Sequence, residues 1–432
     1  MAKNGRPDIL MLGWEFPPII NGGLGVACHD LSAAMSYLAN ITMIIPKSSP
    51  GFKMKNLNLV GINNIDPRSF RQMLATPREP LPFELHEIGA DLQPYFREPL
   101  VTGGEAFTGE DVMGTITAES PGAFNIDNLY GADVINKVIQ YSKIATSLAE
   151  NMEFDVIHAH DWMTMLAGIR IRQQTGKPLV MHIHSLEVDR GGTDSRGWVY
   201  ELEKKGMEYA DLVIPVSRFT AGNIEKYYGI SRNKVHVVYN GSRPVKAFRS
   251  KRKYPEKTVL FVGRLTRQKG PEIFLDIARR VLEKNSDVRF VMAGVGDYFN
   301  PLLEKSSYQS LGNRFHMTGF LNVEKLNYLF SVSDVYCMPS VSEPFGLSAV
   351  EAAHFKIPCV LSRQSGVSEV LHGALKFDHW DVNKAADSIL SLLRDKVLRK
   401  KVVRDACKDL REITWENSAK GVMDAYRSFN FI

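Results

Sequence analysis

Residues 258–270 read TVLFVGRLTRQKG, and residues 8–25 read DILMLGWEFPPIINGGLG. Each is a short apolar run that enters a glycine-containing turn, as the first strand of a doubly wound unit does. After the first start, the periodicity predicts a helix over 26–38 and strands over 41–45, 155–160, 178–184 and 211–215. After the second, it predicts a helix over 271–284 and strands over 288–293, 334–339 and 357–361. Strands alternating with helices of this length form parallel sheets, so the chain reads as α/β with two doubly wound domains. Residues 243–257, RPVKAFRSKRKYPEK, are basic, broken by proline and without periodicity, and read as the interdomain connection. Residues 46–123, rich in glycine, proline and charge, are expected to hold hairpins and loops.

Composition supports this division. A chain of 432 residues exceeds the size at which one hydrophobic core stops growing. The balance of 53 basic and 48 acidic residues leaves +5, too mild and dispersed to argue for nucleic acid but compatible with an anionic small substrate. Cys28, Cys337, Cys359 and Cys407 show no paired spacing, which fits neither a disulfide framework nor a zinc site and suggests a reducing cytoplasm. The N-terminal stretch lacks the apolar core of a signal peptide, and no run reaches the roughly 18 apolar residues of a spanning helix.

In open parallel sheets ligands bind beyond the carboxyl ends of the strands, so motifs directly after strands carry the functional signal. Asn21, Gly22 and Gly23 open GLG into a helix, where small residues let backbone N–H groups approach a phosphate. Such runs more often only turn the chain, and this one does not match the dinucleotide fingerprint GxGxxG. In HAHDW, 158–162, alternation puts His158 and His160 on one side with His160 at the strand end; His184 ends the next strand in the same way. Either ring can hydrogen-bond a sugar hydroxyl, or be a satisfied core histidine. Arg264 and Lys269 follow the second domain's first strand, placed to neutralise a diphosphate or simply to solvate a loop. In SEPFGLSAVE, 342–351, a strand end turns into a helix start with free N–H groups at Gly346 and Leu347. Glu343 and Glu351 are eight positions apart and project to one side if the helix reaches back to Glu343.

Taken together, WEFPPIINGGLG, HAHDW, PVSRF, YNG, VGRLTRQKG, AGVGD, TGF and EPFGLSAVEA resemble, in order and spacing, the retaining glycosyltransferases of the GT-B fold. These are of the family 4 type, which includes glycogen, starch and sucrose synthases. The resemblance implies two Rossmann-like domains facing a central cleft. Residues 1–245 would be the acceptor side, 246–410 the nucleotide-sugar domain, and 411–432 a helix crossing back to the first domain, centred on 415–428. It also implies site roles: Gly22 and Gly23 near the diphosphate, His160 on the transferred sugar, and Arg264 and Lys269 on the phosphates. Glu343 would hold the sugar, Gly346 and Leu347 would donate to the diphosphate, Glu351 would bind the ribose, and Phe320 would lie beside the base. Asn21 and His184 are further candidates for the sugar or acceptor cleft. Bacterial synthases that use ADP-glucose carry a lysine two residues before the paired glycines; here that position is Ile20, and 184–192, HSLEVDRGG, is nearer to glucan-synthase-like members.

The expected activity is transfer of a glucosyl unit from ADP- or UDP-glucose to an α-glucan with retention of configuration. The partners are a nucleotide-sugar donor and a carbohydrate acceptor, with no cofactor and no nucleic acid. Departure of the diphosphate builds charge that preorganised donors stabilise. No Asp-x-Asp pair follows a suitable strand, so no metal is expected to be required. Two rivals remain. An idle scaffold would lack Glu343, Lys269 or His160, and all are present. A membrane-surface enzyme acting on a lipid or small molecule would use the basic run 246–253 and residues 392–410, LLRDKVLRKKVVRDACKDL, as one basic amphipathic helix.

Overall fold

The first apolar run forms β1 (Asp8–Leu12), the centre of a six-stranded parallel sheet with β2 (Asn40–Ile45), β3 (Leu57–Gly61), β4 (Val156–His160), β5 (Leu179–Ile183) and β6 (Leu212–Pro215), ordered β3-β2-β1-β4-β5-β6. The second forms β7 (Lys257–Val262), central to another parallel sheet with β8 (Val288–Ala293), β9 (Phe315–Gly319), β10 (Val335–Met338), β11 (Cys359–Ser362) and β12 (Leu375–Phe377), ordered β12-β11-β10-β7-β8-β9. Read from the other edge, the second order repeats the first. In each, two strands are laid outward from the first strand and the chain then returns to its opposite side, which makes a topological switch point between β1 and β4 and between β7 and β10. This computed structural model describes residues 6–17, 22–49, 51–78, 80–83, 129–130, 133–245, 247–248, 250–251, 254–308 and 311–429.

The chain divides into two compact units: Met1–Val216 with Thr220–Val238 and Ser418–Ile432, and Ser217–Phe219 with Tyr239–Asn417. In the first, β4 and β5 are buried at every position, as parallel strands covered on both faces must be. Helix Trp162–Thr175 buries Trp162 through Ile169 against them, and Tyr141 donates its hydroxyl to the Ile44 carbonyl at 2.9 Å. In the second, Phe261, Phe274, Phe290 and Val335 centre the core.

Several expectations need correction. The helix placed at 26–38 runs Gly23–Met35, because Gly22 is extended and the helix begins directly after it. Where residues 46–83 are described they hold loop with one isolated antiparallel bridge, Met54 to Leu57, but also the parallel strand β3 and helix Pro67–Ala75, capped by the Asp66 carboxylate at the Arg68 and Ser69 N–H groups; residues 84–128 lie outside the described residues. The basic stretch 392–410 is not one helix. Asp395 ends Val382–Arg394 and caps Lys396–Asp409, accepting from Val397 and Leu398 at 2.7 and 2.9 Å. Val402 and Ala406 of that helix are buried, so its apolar side is already used. Within the run 246–253, Lys246, Arg249, Arg252 and Lys253 lie outside the described residues. Among the described residues, no helix is long and apolar enough to cross a membrane.

Candidate active site

At the first switch point β1 leads to the Gly22-Gly23 turn and β4 ends on His160. Gly22 and Gly23 are exposed, and a Cβ on Gly22 would meet nothing. Asn21 lies outside the described residues. Glu15 is buried, accepts the Gly25 N–H at 3.2 Å and bonds the Tyr130 hydroxyl. The start of helix Gly23–Met35 therefore already carries a carboxylate at one of its free N–H groups.

The strand ends bring the two expected histidines together: His160 Nδ1 and His184 Nε2 are hydrogen-bonded at 2.9 Å. Behind them His158 Nε2 bonds His182 Nδ1 at 3.1 Å, and His158 Nδ1 bonds the Tyr426 hydroxyl from the terminal helix. The His182 and His184 rings stack with centroids 4.5 Å apart. Burial keeps all four rings neutral, with His158 and His184 pushed down to about 3 and His160 and His182 well below the usual imidazole range. His160 Nε2 and His182 Nε2 are buried without a partner among the described residues.

Asp161 turns the chain here at φ +56 and ψ 175, a backbone region that side chains rarely adopt and that the surrounding hydrogen bonds must hold. Its carboxylate accepts the His184 N–H at 2.6 Å and the Ser185 N–H at 3.3 Å, tying the loop after β5 to the end of β4. Burial raises its pKa to about 7 against those hydrogen bonds. Asp161, Glu15 and Tyr426 were not among the expected site residues. A polar residue following a strand-end histidine was the available signal for Asp161; Tyr426, in a helix 268 positions away, offered none.

At the second switch point the loops after β7 and β10 are bonded to each other. Val341 N–H donates to Gln268 carbonyl at 2.9 Å, and Gly270, at φ +65, sits where a Cβ would overlap the Pro339 carbonyl. This packing sets Lys269 Nζ on Glu343 Oε2 at 2.6 Å, and the Ser340 hydroxyl donates to the same oxygen at 3.2 Å. Arg264, on the same loop as Lys269, is exposed. Helix Leu347–His354 begins only after Gly346, at φ +112, so Glu343 precedes it and does not share a helical face with Glu351 as the spacing had suggested. Instead Glu343 pairs in a bridge with Ser365, and Gly366 N–H donates to its carbonyl at 2.9 Å. Among the described residues no acceptor takes the Gly346 or Leu347 N–H. Glu351 has no side-chain partner among them, and burial raises its carboxyl to about 7. Phe320, just past β9, is 78% exposed.

Residues 242–409 match the family model "Glycosyl transferases group 1", and residues 124–244 match "Glycosyltransferase Family 4". The two matches adjoin and, with the twofold 3-2-1-4-5-6 strand order, decide the assignment. The chain is a GT-B glycosyltransferase of the family 4 type. This glycosyltransferase is 28% identical to an uncharacterised glycosyltransferase of Methanocaldococcus jannaschii, over 97% of both chains. It is 26% identical to a glycogen synthase of Mycobacterium tuberculosis, over 97% of this chain and 94% of that one. A sucrose-phosphate synthase from Thermosynechococcus elongatus shares its fold with a TM-score of 0.69 at 18% identity, covering 98% and 99% of the two chains.

Proposed function

We propose that this glycosyltransferase moves a glucosyl unit from ADP- or UDP-glucose to an α-glucan, with retention and without a metal. The observation that carries the reading is the second switch point, where Lys269, Glu343 and the open start of helix Leu347–His354 converge from adjacent strand ends. A cation and unpaired N–H groups there suit a leaving diphosphate, whose developing charge they stabilise without reorganisation. Arg264 adds a second cation, and the unpartnered Glu351 carboxylate suits a pair of ribose hydroxyls. Exposed Phe320 offers a face to the base. His160, neutral and with Nε2 unpaired, takes the role of hydrogen-bonding a hydroxyl of the transferred sugar. Glucose and glucan draw support from the glycogen synthase that matches nearly the whole chain.

The test is nucleotide diphosphate release from ADP-glucose, UDP-glucose and GDP-mannose, with and without glycogen or maltooligosaccharide, in EDTA. Glucan-stimulated release from one glucose donor supports the proposal and names the base. Release from GDP-mannose alone, or glucose transfer only to a lipid or small molecule, overturns the glucan assignment, and loss of all release in EDTA overturns metal independence.

A further inference from the structure

Cys28 lies on helix Gly23–Met35, one turn beyond the glycines, and its sulfur points to the end of β4. Cys28 Sγ and one ring nitrogen each of His160 and His184 lie within 4.8 Å of one another. We propose that these three residues form a binding site for a soft divalent cation of the zinc class, one that inhibits the enzyme and is no cofactor of it.

The donor set fits the ion. Thiolate and neutral imidazole are the usual zinc ligands, and three protein ligands leave a fourth position for solvent. With Zn–S near 2.3 Å and Zn–N near 2.0–2.1 Å, donors around one ion stand about 3.3–3.7 Å apart. The site reaches that with small side-chain shifts. His160 and His184 are already neutral, so neither needs to lose a net proton. Their mutual hydrogen bond uses one N–H and one lone pair, and a metal needs both lone pairs. The shared proton must then move to the far nitrogen of its own ring, and for His160 that is Nε2, which is buried and has no partner among the described residues. Cys28 releases its thiol proton to solvent as the S–metal bond forms, and no electron changes hands.

Charge favours the same outcome. Asp161 and Glu15 are close enough to Cys28 to oppose its ionisation electrostatically. The same carboxylates attract a dication, and the positive ion replaces a proton that they hold in place. A second group of three, His158, His160 and His182, is also compact. It offers no anionic ligand, and His158 is engaged by Tyr426 and His182. Cys28 and His160 are fully buried, and His184 is the least buried of the three.

The test is titration of the metal-free full-length chain with cobalt(II) chloride, read by absorption. Expected are a thiolate-to-cobalt charge-transfer band and intense tetrahedral d–d bands that saturate at one equivalent and are displaced by zinc. Cys28→Ala should abolish the charge-transfer band and weaken cobalt binding at least about tenfold, while Cys407→Ala, at the half-exposed thiol, leaves both unchanged. If Cys28→Ala does not fold, His184→Gln should weaken binding similarly. Absence of the band at saturating cobalt, or its loss in Cys407→Ala and survival in Cys28→Ala, overturns the site. Binding stands apart from the role given to His160; only inhibition rests on it. Zinc binding with unaltered nucleotide diphosphate release would remove the inhibition and keep the site.

Discussion

Lys269 and Glu343 form an ion pair at 2.6 Å, across a switch point that neither residue's neighbours in sequence reveal. Glu343 is nearly buried and Lys269 about one-fifth exposed, so the pair is screened only on the lysine side. Removing the lysine strands a desolvated carboxylate. Lys269→Ala is therefore expected to cost about 1–3 kcal/mol, below the value of a fully buried pair because water reaches the ammonium. It should also lower kcat/KM for nucleotide-sugar about 10²–10³-fold, the loss typical of one oxyanion donor. Urea unfolding and initial rates check both. Wild-type kcat/KM in the variant would remove Lys269 from the leaving-group role.

The stacked histidines give a second expectation. A ring whose folded pKa is depressed contributes stability above its unfolded value of about 6.5, and that stability is lost as pH falls toward the folded value. For His158 and His184 the window runs from 6.5 down to about 3. None of the four rings should titrate between pH 5 and 8, which NMR of the imidazole C–H resonances reads directly. A ring titrating near 6.5 would show that the cluster is not buried neutral.

Asp161 works in the opposite direction. Its folded pKa is raised to about 7 from 3.8, so its contribution is fully present below 3.8 and is lost as pH rises through 7. Asp161→Asn keeps an oxygen to accept the His184 and Ser185 N–H groups and has nearly the same shape, so the backbone strain at this position is common to both proteins. Relative to the wild type, the variant should gain about 2–4 kcal/mol between pH 4 and pH 8. Denaturation at the two pH values measures the difference; an unchanged gap would show that the carboxylate ionises freely.

The central strands are legible in the sequence because they are apolar on both faces: 8–12 and 288–293 match the observed bounds, and helix 271–284 matches as well. Edge strands are different. β3, β9 and β12 each pair on one side only and mix polar with apolar positions, so LNLVG, FHMTG and LKF carry no clear period. The fully buried edge strand β6, LVIP, is legible for the same reason that these are not. The topology rule points to residues at strand ends, and the structure brings His160 to His184 and Lys269 to Glu343 there. Cys28 and Tyr426 reach it from helices, and only tertiary packing puts them beside a histidine.

Gly294 offers a test of how tightly the second unit's turns are packed. It sits at φ +148 after β8, and a Cβ there would run into the Gly263 carbonyl oxygen, a backbone atom that cannot swing away. Gly263 N–H in turn donates to the Ala293 carbonyl at 3.1 Å, so the turn carrying Arg264 would be displaced with it. Gly294→Ala is expected to destabilise by about 2–4 kcal/mol from steric strain and an unfavourable backbone angle together. For a unit of this size that lowers Tm by roughly 4–16 °C. Gly22→Ala, where a Cβ meets open space, is the matched control and should leave Tm within about 2 °C. Calorimetry on the two variants decides it, since equal shifts would mean that the Gly263–Gly294 contact does not hold the turn.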